Sequence, residues 1–127
     1  MKLNIEFFIN NFIDAIGAGI YKITVKHHNK EELLYIGESV FVLVRCATHL
    51  FKFKKDPNYL GFTHESVQDE DITLKLELIE TCSNMEIRKK KEKEYIERYR
   101  PKMQSGVSDR MRPIEEKIEV LTKFLSS

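Results

Sequence analysis

Polar and apolar residues alternate through DITLKLELIE, with Ile72, Leu74, Leu76 and Leu78 on one side. A period of two is the pattern of a strand with one buried face. Two earlier apolar runs, GIYKITV at 19–25 and LLYIGES at 33–39, flank the polar stretch KHHNKEE. They predict a hairpin with strands at 19–26 and 33–37. Residues 4–16 set Ile5, Phe8, Phe12 and Ile16 at helical spacing, which predicts an N-terminal helix broken by Gly17 and Gly19. VFVLVRCATHLFKF, residues 40–53, admits two readings. Its β-branched start favours a strand, whereas its length and Ser39 at a capping position favour a helix. Pro, Asn, Gly and acids over 56–71 predict a long loop. Residues 83–99 predict a highly charged helix stopped by Pro101. SGVSDRMRP reads as a linker, and Pro113 opens a last amphipathic helix to about residue 125. The order α-β-β-(α)-β-α-α predicts an α/β (α+β) chain: a small three-stranded antiparallel sheet flanked by helices.

Composition narrows the class. With 127 residues, 42% of them apolar and 32% charged, the chain suits one soluble domain with its own core. No apolar run approaches the ~18 residues of a membrane span. The N-terminus threads acids and asparagines through its apolar positions, a poor secretion signal. Cys46 and Cys82 match no metal or redox spacing. These features predict a reduced, cytoplasmic protein. The net charge of +1 hides a local imbalance: Arg45, Lys52, Lys54 and Lys55 are unrelieved by any acid from 45 to 55.

Gly19-Ile20-Tyr21 and Tyr35-Ile36-Gly37 stand on the paired strands of the hairpin. Arg45 follows Gly37 by eight residues, His49 follows Arg45 by four, and Glu92 precedes Pro101 by nine. In these landmarks, their order and their spacing, the chain resembles the GIY-YIG endonuclease superfamily. The likeness covers roughly residues 17–104. It leaves 1–16 as an N-terminal helical extension and 105–127 as a linker and C-terminal helix. The family's helix after the second motif resolves 40–53 as helical and places Arg45 and His49 one turn apart on one face. Where the family carries asparagine, this chain has Gln104, the same amide on a side chain one methylene longer.

The resemblance implies a metal-dependent endonuclease that hydrolyses DNA phosphodiester bonds. Glu92 is implied as the ligand of Mg2+ or Mn2+, ions that one carboxylate can hold with waters and a substrate phosphate. Arg45, permanently charged and bidentate, would brace the scissile phosphate. Tyr21 is implied as the base for water, a role for a phenol of reference pKa near ~10 only where positive charge favours phenolate. Tyr35 would hold the water or the phosphate, and His49 would share the proton traffic. Gln104 would orient the phosphate or a neighbouring side chain. Lys52, Lys54 and Lys55 are candidates for sequence-independent contact with the DNA backbone. Taken singly, each has a plainer reading: tyrosines in strands pack, and Glu92 among Glu86, Glu94 and Glu97 belongs to a solvated helix face. Spacing is what selects them. A rival reading keeps the fold as a catalytically weak or inactive module that grips nucleic acid or a protein partner. The last helix, 113–125, is a candidate surface for a second copy or a partner protein.

Overall fold

In the computed structural model, which describes residues 1–106 and 110–127, strand β2 (Gly19–His27) orders the rest. It pairs antiparallel with β3 (Lys30–Ser39) on one side and β4 (Ile72–Thr81) on the other. A short strand, β1 (Lys2–Ile5), then adds to β4 in parallel, giving a four-stranded mixed sheet in the order β1-β4-β2-β3. The central strand is covered on both faces, which is why β2 reads as a nearly continuous apolar run while β4 alternates. The architecture is α+β, with five helices around the sheet among the described residues.

Two expectations are corrected. The sheet is not three-stranded and purely antiparallel, because β1 adds a parallel fourth strand. Nor is the N-terminal segment one helix. After β1 it forms two single turns, α1 (Glu6–Ile9) and α2 (Phe12–Ala15), parted at Asn10 and Asn11. Asparagine competes with helical bonding through its side chain, so a pair of them is a natural break. The apparent stripe does not face the core either: Phe8, Phe12 and Ile16 are exposed, and the segment is anchored by Phe7 and Ala15.

The two faces of the sheet carry different layers. Tyr21, Ile23 and Val25 of β2 and Leu74 and Leu76 of β4 point to the main core, shared with helix α3 (Val42–Lys55) and helix α5 (Ile114–Ser126). Ile20 and Ile36 point the other way, onto Ile96 of helix α4 (Met85–Tyr99). Helix α3 replaces any strand at 40–53. Its Val42, Cys46 and His49 are buried at helical spacing. Ser39 does not occupy the capping position. Its hydroxyl instead accepts from Phe41 N at 3.0 Å, in the turn ahead of the helix.

The 56–71 segment is organised by two 3-10 turns, Pro57–Leu60 and Ser66–Gln68. Between them Gly61 takes φ 85°, and α5 rests on it: an added Cβ would lie 2.9 Å from the Lys117 carbonyl carbon and closer still to its oxygen. Helix α5 spends its apolar face on this contact. Leu121 is buried, and Val120, Phe124 and Leu125 pack against the main core. The surface expected to receive a partner is therefore largely internal. The expected linker runs back on itself, with Ser105 N donating to Arg110 O and Arg112 N to Met103 O. Its middle, 107–109, lies outside the described residues. No helix among the described residues is long and apolar enough to cross a membrane.

Candidate active site

Antiparallel register places Tyr21 opposite Gly37, two residues along β3 from Tyr35, so both phenols stand on the same face of the sheet. Their ring centroids are 6.1 Å apart. Helix α3 lowers His49 between them, 5.6 Å from the Tyr21 ring and 4.8 Å from the Tyr35 ring. The missing side chain of Gly37 makes this possible. A Cβ there would lie 2.6 Å from Tyr21 Cζ and 2.8 Å from Tyr35 Cε1, and closer still to the Tyr21 hydroxyl.

The polar atoms form a chain. Tyr21 Oη and His49 Nε2 are 2.7 Å apart, and His49 Nδ1 is 2.7 Å from Tyr59 Oη. Tyr21 is 1% exposed and His49 5%, so these bonds are made away from water. Burial pushes the Tyr21 phenol well above its usual range; Tyr35 and Cys46 add to this and the Arg45 charge opposes it. Burial, then the charges of Arg45 and Lys52, hold the His49 imidazole down at about 4. The site at neutral pH is thus an uncharged phenol bonded to an uncharged imidazole, with an exposed guanidinium, Arg45, at its edge. Cys46, pushed up to about 12 by burial, is a packing thiol.

Gln104 is 1% exposed and wholly committed. Its Nε2 donates to Ile36 O at 2.7 Å and its Oε1 accepts from Ile36 N at 3.0 Å. With Lys102 N donating to Leu33 O and Met103 N to Leu34 O, residues 102–104 close the outer edge of β3. The extra methylene lets the amide reach a backbone rather than a substrate. Gln104 holds the strand between Tyr35 and Gly37 in place. Gln104→Leu strands both backbone groups of Ile36 without a partner, an expected loss of about 2–6 kcal/mol at 1–3 kcal/mol per group. Urea unfolding followed by circular dichroism measures it.

Helix α4 presents Arg88, Glu92 and Ile96 inward at four-residue spacing. Glu86, Glu94 and Glu97 are exposed, whereas Glu92 is 7% exposed and is the one buried carboxylate among the described residues. It lies one turn before Ile96, the residue through which α4 packs on Ile20 and Ile36. One turn earlier, Arg88 Nε donates to Glu38 Oε2 at 2.6 Å and its Nη1 to Cys82 O at 3.1 Å. Lys91 and Tyr95 both donate to the Glu80 carboxylate, at 2.6 and 2.5 Å. Lys54 and Lys55 are exposed at the end of α3, while Lys52 Nζ lies 5.7 Å from the centre of the Tyr59 ring.

The structure therefore brings Tyr21, Tyr35 and His49 together, sets Arg45 beside them, locks Gln104 to Ile36, and buries Glu92 on α4. Among the described residues no three His, Cys, Asp or Glu side chains gather into a ligand cage. A lone carboxylate suits Mg2+ or Mn2+, which keep several waters and take phosphate oxygens, and does not suit zinc. Sequence reading missed Tyr59 and Arg88. Tyr59 sat in a stretch without periodicity, and Arg88 heads a lysine run that hides its burial. Its four-residue offset from Glu92 was the available signal. No family model, no curated protein and no solved structure matches the chain.

Proposed function

We propose that this protein is a metal-dependent endonuclease of the GIY-YIG type, hydrolysing DNA phosphodiester bonds. The observation that carries the reading is the cluster itself: both motif tyrosines on one face, separated by the space Gly37 leaves open, with Tyr21 joined to His49 by a 2.7 Å hydrogen bond. The antiparallel pairing of β2 with β3 is what brings the two motifs side by side. In this account Arg45 grips the scissile phosphate from the exposed side. Tyr21 receives the proton of the attacking water, and Tyr35 holds the water or a phosphoryl oxygen. Glu92 would hold the ion, and a bound Mg2+ or Mn2+ supplies Lewis-acid stabilisation of the developing charge. Lys54 and Lys55 attract the DNA backbone without reading sequence.

A second reading is favoured by one observation. Tyr21 and His49 are almost entirely covered, which suits a module that binds nucleic acid through Arg45 and the lysines and does not cut. Supercoiled plasmid incubated with the protein separates the two. The hydrolase reading expects nicked and linear products with Mg2+ or Mn2+ and none after chelation with EDTA. Salt-sensitive retention of intact plasmid, unaffected by the ion, supports the binding module instead.

A further inference from the structure

We propose that Tyr59 is the outer member of a proton relay, Tyr21–His49–Tyr59, which carries the proton taken from the attacking water out of the covered site. The proposal rests on the hydrolase reading and assigns the residue that empties the base. Both ring nitrogens of His49 meet a phenol oxygen, each at 2.7 Å. Neutral imidazole has one donor and one acceptor. The chain is therefore polar in one of two senses, and the relay uses the sense in which Tyr21 O–H donates to Nε2 while Nδ1–H donates to Tyr59 Oη.

Storing the proton on His49 is disfavoured. The ring is faced by Tyr21 from β2, Tyr35 from β3, Arg45 and Lys52 from α3, and Tyr59 from the Pro57–Leu60 turn. Lys117 of α5 stands behind Tyr59, its Nζ 5.2 Å from the ring centre and donating to Tyr59 O at 2.8 Å. Asp56 offsets Lys117, but Arg45 and Lys52 both act against a proton on the ring, so an imidazolium would sit against positive charge in a covered site. A relay using both nitrogens never forms it. The water proton passes to Tyr21 Oη as the Tyr21 proton passes to Nε2. The Nδ1 proton moves to Tyr59 Oη, and the Tyr59 proton leaves to solvent. After product release the opposite shift restores the starting tautomer, one proton entering at Tyr59 and one leaving to water at Tyr21. Tyr59 is the half-buried member of the three and thus the exit. Lys52 and Lys117 hold its ring, and the Gly61 turn seats it against α5.

Tyr59→Phe keeps the ring between the two lysines and deletes the hydroxyl; methyl and amide NMR shifts unchanged outside its immediate neighbours show that it is still seated. Plasmid cleavage is expected to lose about tenfold in kcat with KM for DNA unchanged, less than the 10²–10⁴-fold of the proton transfer itself. Nitrogen-15 NMR of His49 is expected to show the Nδ1–H tautomer in the wild type and the Nε2–H tautomer in the variant, because Nδ1–H has lost its acceptor. A kcat within twofold of wild type, or an unmoved tautomer, overturns the relay and leaves the hydrolase reading standing. A wild type inert with both Mg2+ and Mn2+ overturns both.

Discussion

Glu92→Gln leaves plasmid DNA uncut at concentrations where the wild type nicks it, a loss on the order of 10³-fold. The figure follows from the role assigned: an ion stabilising the transition state as a Lewis acid contributes several kcal/mol, and ~4 kcal/mol is about 10³ in rate. Glutamine preserves the volume of a side chain that is 7% exposed, so the packing of α4 is kept and only the anionic ligand is removed. Binding of DNA should be unaffected, since Arg45, Lys54 and Lys55 are untouched and supply the salt-dependent attraction. The matched control is Glu94→Gln, two residues on and exposed, which should cut at the wild-type rate. Equal activity of Glu92→Gln and wild type, in a gel assay run at several Mg2+ concentrations, removes the carboxylate from the mechanism.

Much of the scaffold was legible because its signals are local. Period-two alternation marks β4, the paired apolar runs mark β2 and β3, and prolines bound α4 and α5. The N-terminus was misread for the complementary reason. What makes Lys2–Ile5 a strand is the free edge of β4 some seventy positions later, and nothing in KLNI announces that partner. Helix α3 shows local propensity pointing the wrong way. VFVLV favours a strand, yet burial of Val42, Cys46 and His49 on one stripe decides the matter. The site divides similarly. Tyr21, Tyr35 and His49 were found because fixed spacing on regular elements fixes relative position. Tyr59 reaches His49 only through an irregular segment whose path depends on the left-handed turn at Gly61. Gln104 was located but its partner was not, since which atom an amide reaches is a matter of ångströms.

The sharpest demand on this site is the empty space at residue 37. Gly37→Ala puts a methyl carbon where Tyr21 Cζ lies 2.6 Å away and Tyr35 Cε1 2.8 Å away, well inside van der Waals contact. Neither ring is a flexible tip that swings aside: Tyr21 is bonded to His49, and Tyr35 stands edge-on to the same imidazole. The strand cannot retreat either, because Gln104 clamps Ile36 next door. Overpacking of a well-filled core costs about 1–3 kcal/mol, and a clash with two fixed rings belongs at the upper end, so about 3 kcal/mol is the expected loss in urea unfolding. Cleavage should fall by about 10²-fold or more, the scale of a 1 Å misplacement of reacting groups. A double-mutant cycle isolates the cause. In a Tyr21→Ala background only Tyr35 still meets the new methyl, and its ring can shift into the vacated space, so adding Gly37→Ala should cost about 1 kcal/mol, a coupling of about 2 kcal/mol between the two positions. Additive losses would mean that the glycine serves the backbone rather than the phenol, and the steric link between the two motifs would be gone.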